Sequence, residues 1–280
     1  MPKPQTFFLI VGFIFGLSFL ILTPPFQVPD EPNHFYRAWQ IASVQLFPTK
    51  QDNRLGGFMP KSLIKAVNAH LDIKGNPYVK TSFKNIREQL QIKLDDKTTE
   101  FVDFPNTALY TPISYLPQAV VIAVFKFLGF SPVWILYFTR LAMLFLWLLV
   151  MYKVIEMLPI FKWFFTFSAL LPMCVFINMS VSADVVTNLL GFLWIGNIFK
   201  FAFGDKSLRK QQMISLFLLG ILIASAKYVY TPIVFLVLLI PTSKLPNARF
   251  FKSFGLHTCV ISIAFIMAFL GSRYASKTYI

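Results

Sequence analysis

Eight apolar runs order this chain: Thr6 to Thr23, Thr111 to Leu128, Val133 to Tyr152, Trp163 to Ile177, Val185 to Phe201, Met213 to Ala226, Val229 to Ile240 and Leu256 to Leu270. Their length and scarcity of charge predict an all-α polytopic membrane protein, because a segment in hydrocarbon must satisfy its backbone within its own helix. The first run has the look of a signal-peptide core, but no small-x-small cleavage pattern follows it, so it reads as a retained span. One polar insertion, residues 24–109, separates the first run from the other seven, and the whole of 1–280 reads as a single membrane domain.

Within the insertion the pattern changes to short amphipathic stretches. Phe35, Ala38, Trp39, Ile41, Ala42 and Val44 share one side of a helix spanning Pro32 to Phe47, which predicts an element lying along the membrane interface. Lys61 to Leu71 predicts a second short helix. Ser82 to Leu94 predicts a third, with a short strand pair over Phe83 to Leu94 as the alternative. Gly56-Gly57, Gly75-Asn76-Pro77 and Asp95-Asp96 are expected to be turns between them.

Composition sharpens this picture. Hydrophobic residues make up 56% of the chain and charged residues 14%, well below the roughly 25% charge of soluble domains, so a soluble fold is excluded. The net charge of +14 is unevenly spread, since the insertion holds 11 basic and 9 acidic residues and the remainder 15 basic and 3 acidic. Basic residues at the flanks of apolar runs suit membrane lipids with anionic headgroups; no recognition module for nucleic acid gathers anywhere. Cys174 and Cys259 both lie inside apolar runs, where cysteine is a packing residue, and no disulfide framework or metal motif is present.

Orientation is contested by the charges themselves. With a cytoplasmic amino terminus and every run crossing once, the insertion falls outside, but so do the basic loops Lys153 to Lys162 and Lys200 to Gln212. Reversing the chain satisfies those loops but puts the insertion in the cytoplasm; alternatively one run does not cross as counted, the candidates being Trp163 to Ile177 and the Ala226 to Tyr230 neighbourhood.

The chemistry-bearing residues cluster where the insertion begins. Pro29 and Pro32 bracket Asp30 and Glu31, stiffening the backbone and limiting the pair to an extended or turn entry into a helix. Two adjacent carboxylates at a membrane rim could bind Mg or Mn through oxygen, one of them could take a proton from a hydroxyl, or they could simply cap the helix. His34 and Arg37 follow on the same helical side and could receive a phosphate or a lipid headgroup. Asp103 marks the return to the membrane and could face Asp30 across a cavity, while Tyr110 and Tyr115 suit the headgroup belt. Arg140 lies inside an apolar run, where it either snorkels to the rim or binds an anion. Asp184 is the one acidic residue between Glu156 and Asp205, and Lys227 precedes the Pro232 break, where a cation could neutralise a phosphate.

The stretch PPFQVPDEPNHFYRAWQIA, with YTPISYLPQ, the Arg140 segment, NMSVSADVVTN and AKYVYTP, resembles the DUF2142 family of bacterial membrane proteins from about Phe7 to Pro232. That family is in turn thought to resemble the GT-C glycosyltransferases. The resemblance implies a GT-C-like helical bundle in the bacterial cytoplasmic membrane, with a large first extracytoplasmic loop carrying short interfacial helices. It also implies an inverting transfer of sugar from a polyprenyl-phosphate donor to a glycan, lipid or protein acceptor of the cell envelope. Asp30 would then be the base or metal-assisted activator, supported by Glu31, and His34, Arg37, Arg140 and Lys227 would neutralise the leaving phosphate. The chain is shorter than is common for that likeness, which fits a truncated member or one completed by a partner. Two rivals stand beside this reading: a transporter or flippase for a lipid-linked glycan using Arg140, Asp184 and Lys227, and a non-catalytic subunit of an envelope polysaccharide assembly system.

Overall fold

A computed structural model describes residues 2–74, 76 and 78–245, so the expected run Leu256 to Leu270 and Cys259 lie outside the described residues. The chain is mostly helical, and among the described residues three helices are long and apolar enough to cross a membrane: α1 (Pro4–Leu22), α7 (Pro132–Met157) and α10 (Ala183–Phe203). It is a multi-span membrane protein. Ile10, Ile14 and Phe15 of α1 are each more than half exposed (56%, 56% and 55%), which suits a helix whose outer surface meets lipid.

Two compact units divide the described residues, one made of Phe13–Leu146 and Val175–Val185 and the other of the remainder. In the first unit the insertion forms α2 (Glu31–Ala42), β1 (Thr49–Gln51), β2 (Arg54–Pro60), α3 (Lys61–Asn68), α4 (Phe83–Leu90), β3 (Thr99–Asp103) and α5 (Pro105–Ala108). The helices fall close to their expected places. The expectation of an all-α chain is corrected by an antiparallel three-stranded sheet in the order β1-β2-β3.

Gly56-Gly57 belongs to the middle of β2 and not to a turn. A Cβ at Gly56 would sit 1.8 Å from the Val102 carbonyl oxygen, and the Gly56 carbonyl accepts from Gln40 Nε2 at 3.2 Å. The glycine therefore serves the close approach of β3 on one side and α2 on the other. The Asp95 turn is as expected, with its carboxylate accepting from the Lys97 amide at 3.0 Å and the Thr98 hydroxyl at 2.8 Å.

After α5 the chain makes a short 3-10 turn (Pro112–Tyr115) and then α6 (Leu116–Phe127). Both ends of this run are fastened to α2 or its continuation. Tyr115 Oη lies 2.7 Å from His34 Nδ1, while Lys126 Nζ donates to Ser43 Oγ at 3.2 Å and stands over the Trp39 ring at 5.4 Å. Helix α6 thus runs alongside α2. The shared core beneath the insertion includes Phe35, Trp39, Met59, Leu63, Phe104 and Ile122.

The expected run Trp163 to Ile177 is two helices, α8 (Lys162–Ala169) and α9 (Pro172–Asn178). Proline disfavours helical geometry in the residue before it, so Pro172 breaks the run and then opens the next helix. In the second unit, α11 (Lys210–Ala226) and a twelve-residue 3-10 helix (Tyr228–Leu239) pack with α10 around Trp194, Leu216, Ile223 and Val237. Pro232 lies inside that 3-10 helix, where its missing amide proton prevents a regular α-helical ladder.

Candidate functional site

The linker from α1 into α2 is wound tightly, with left-handed backbone at Phe26 (φ 61°) and Asp30 (φ 56°). Such backbone is uncommon for residues with a Cβ and is held only when the surroundings impose it. Asp30 stands at the N-cap of α2, yet its side chain makes no capping hydrogen bond. It is exposed, and among the described residues no hydrogen bond or ion pair holds its carboxylate.

Glu31 has the opposite environment. Its side chain and that of Arg140 are both fully buried and form a bidentate ion pair, with Arg140 Nε to Glu31 Oε1 at 2.9 Å and Arg140 Nη2 to Glu31 Oε2. Oε1 also accepts from the Val181 amide at 3.2 Å. Arg140 directs its remaining donors to the Thr23 carbonyl at 2.9 Å and the Pro24 carbonyl at 3.1 Å. This clasp joins the end of α1, the start of α2, the first turns of α7 and the turn after α9. It anchors Glu31, the residue that follows the left-handed Asp30.

The other candidates separate. His34 pairs with Tyr115 and stacks on Tyr110, whose ring centroid is 6.1 Å away at an interplanar angle of 9°. Arg37 is buried and donates to Gln40 Oε1 at 2.5 Å, the Leu46 carbonyl at 2.9 Å and the Tyr110 carbonyl at 3.2 Å. Its guanidinium thereby closes the loop between α2 and β1. Asp103 ends β3, accepting from the Leu55 amide at 3.2 Å. Asp184 opens α10, within electrostatic reach of Tyr115, and its amide donates to Ser182 Oγ at 3.1 Å. Lys227 belongs to the second unit, at the start of the 3-10 helix, with its ammonium 5.9 Å from the Tyr230 ring.

Glu31 has both oxygens committed to Arg140 and, on one of them, Val181 as well, so the Asp30-Glu31 pair does not fit Mg or Mn, which need several free oxygen ligands. Among the described residues no group of three or more His, Cys, Asp or Glu is placed to hold a metal ion.

Two participants were missed in the sequence. Gln118 is buried and donates from Nε2 to the Ser182 carbonyl at 2.9 Å, fastening α6 to the turn before α10. A buried glutamine in an apolar run was its available signal. His70 is 2% exposed, packs against the Phe26 ring, and neither of its ring nitrogens has a hydrogen-bond partner. Nothing in its sequence neighbourhood points to burial beside the clasp.

Burial lowers the pKa of His70; Asp72 opposes this and the charge of Arg140 adds to the lowering. A folded-state pKa below the unfolded one means that the unfolded chain binds the proton more readily. Stability is therefore complete above about pH 6.5 and declines as the pH falls through the unfolded pKa toward the folded one. Thermal unfolding of the detergent-solubilised protein should show a midpoint that drops on acidification. In His70→Leu that part of the drop should vanish, and parallel pH profiles for the two proteins would remove His70 as its source.

The DUF2142 family profile, described as a predicted membrane protein, matches residues 13–278, and the chain belongs to that family. No curated protein and no solved structure matches the chain.

Proposed function

We propose that this membrane protein transfers a sugar from a polyprenyl-phosphate donor to a cell-envelope acceptor on the outer face of the bacterial cytoplasmic membrane, with Asp30 as the general base. The observation that carries the reading is Asp30 itself: an exposed, unpaired carboxylate in a strained turn at the end of a membrane-length helix, beside a buried clasp that anchors the residue after it. In the step, Asp30 takes the proton from an acceptor hydroxyl as that oxygen bonds to the anomeric carbon. The bond from that carbon to the phosphate oxygen breaks, and the polyprenyl phosphate leaves with the bonding pair.

A groove supports the lipid part of the reading. It has a volume of about 330 Å³ and is lined by Leu20, Ile21, Ile86, Trp134, Tyr137 and Leu141 among others, nearly all apolar. Tyr137 also stands 5.7 Å from the Arg140 guanidinium, so the groove ends against the clasp. An isoprenoid chain suits such a lining. Arg37 and Arg140 are already committed to protein oxygens, so the leaving phosphate falls to Lys84 and Arg87 on the exposed side of α4. The same commitment of Arg140 weighs against a translocation path through it.

Two contacts support an orientation. Arg140 and Val181 both touch Glu31, which supports reading the start of α7 and the turn before α10 on the insertion's side. On the reading that α7 and α10, by their length and composition, each cross, Lys153 to Lys162 and Lys200 to Gln212 fall on the side away from the insertion. With α6 lying along α2 and not counted as a crossing, the positive-inside rule is satisfied with the insertion outside. Single cysteines at Glu88 and Ser207, with Cys174 and Cys259 replaced by serine, should label respectively from outside and only after permeabilisation. The reverse result removes the extracytoplasmic site.

The functional test is transfer by membranes containing Asp30→Asn, supplied with a labelled polyprenyl-phosphate sugar. Transfer should be lost while the labelled donor still binds, and transfer at the wild-type rate would overturn the reading.

A further inference from the structure

The loop between α10 and α11 forms a cup of about 570 Å³ whose lining includes Lys200, Lys206 and Arg209, the single carboxylate Asp205, and the apolar side chains of Met157 and Phe201. None of the three cations has a carboxylate within ion-pair distance among the described residues. Holding like charges around one concavity is unfavourable unless an anion joins them. The carbonyl end of α10 does not supply that negative charge, because Lys244 Nζ occupies the Ala202 carbonyl at 3.0 Å and the Gly204 carbonyl at 2.6 Å. The seventeen-residue α11 begins at Lys210, directly after Arg209, and its amino-terminal end adds a further positive potential.

We propose that this cup is a binding site for the phosphodiester headgroup of an anionic membrane phospholipid. The position selects the lipid over a soluble phosphate ester: the cup is built on the last turns of α7 and α10, both of membrane-crossing length, where headgroups lie. The lining is matched to such a ligand, with cations for the phosphate and Met157, Pro159 and Phe201 for the glycerol and the first acyl carbons. The basic side chains are those that the positive-inside rule places in the leaflet where anionic lipids attract them. The site is separate from the Asp30 chemistry and does not depend on it.

Native mass spectrometry of the full-length protein, loaded with either phosphatidylglycerol or phosphatidylcholine, reads the site directly. Phosphatidylglycerol should survive activation that strips phosphatidylcholine. The double substitution Lys206→Glu and Arg209→Glu should weaken its retention roughly tenfold or more, the scale expected for two basic residues at an anionic surface. Lys65→Glu, on the exposed side of α3, should change nothing. Lys206→Gln with Arg209→Gln should give an intermediate loss, which keeps the test valid when charge reversal disturbs folding. Equal retention of the two lipids, or retention unaffected in both double variants, overturns the proposal. Complete displacement of phosphatidylglycerol by inorganic phosphate also overturns it, by assigning the cup to a soluble anion.

Discussion

Arg140→Met is expected to destabilise the folded protein by about 3–5 kcal/mol, the usual cost of stripping one partner from a buried ion pair. Three losses coincide at this position. Glu31 is left buried with only the Val181 amide to satisfy it, and the Thr23 and Pro24 carbonyls lose their donors. The stem of methionine keeps much of the packing, so the loss reports on charge and hydrogen bonding more than on a cavity. Glu31→Gln loses the ion pair and turns an amide NH2 toward the Arg140 Nη2 donor, but should be less damaging alone, because its remaining oxygen still accepts from Arg140 Nε and from Val181. Combining the two should cost clearly less than their sum, since each removes the same interaction. The measurement is denaturant or thermal unfolding in detergent for all four corners of the cycle. Two additive single effects, each below about 1 kcal/mol, would show that the clasp is not a structural unit. The same experiment separates the clasp from a phosphate receptor, because a guanidinium kept for an incoming ligand would lower donor affinity on removal and leave stability intact.

The clasp also shows what was readable in the sequence and what was not. Prolines on either side of Asp30 and Glu31 marked the pair as a fixed turn, and the structure has that turn. Which carboxylate is buried was invisible, because the answer lies 109 residues away at Arg140. Helices α1, α7 and α10 were legible because long uncharged runs have few alternatives in a bilayer. The run Thr111 to Leu128 was legible as an apolar helix, while its packing along α2 was not, because apolar composition does not say which neighbour a helix meets. Its buried Gln118, and the Lys126 at its end, which pairs at 3.8 Å with Asp96, are the polar residues that fasten it. Pro172 was a visible breaker of the run that became α8 and α9. The sheet was hidden for another reason: the glycines of β2 read as a turn from sequence, whereas their use is to admit Val102 and Gln40 at close range. His70 was unreadable, since its burial depends on Phe26 folding back in a left-handed conformation that sequence does not predict.

Asp30→Asn should reduce sugar transfer by about 10²–10⁴-fold, the usual contribution of a positioned general base, and should leave stability nearly unchanged. Asparagine tolerates left-handed backbone as aspartate does, and no side-chain hydrogen bond at Asp30 is lost. Backbone and chemistry can be separated further at this position. Asp30→Gly removes the Cβ that makes φ 56° costly and should raise stability in the range of ~1 kcal/mol, while abolishing transfer equally. Asp30→Val places a β-branched residue in the same backbone and should lower stability by about 1–3 kcal/mol through strain. A base therefore gives equal losses of transfer in an Asn variant of unchanged stability and a Gly variant of raised stability. A backbone hinge gives the other ordering, in which Asn and Gly keep transfer and Val alone loses it. That second ordering would leave the left-handed turn as the functional feature and remove the carboxylate from the chemistry, while the clasp between Glu31 and Arg140 would still anchor the residue that follows the turn.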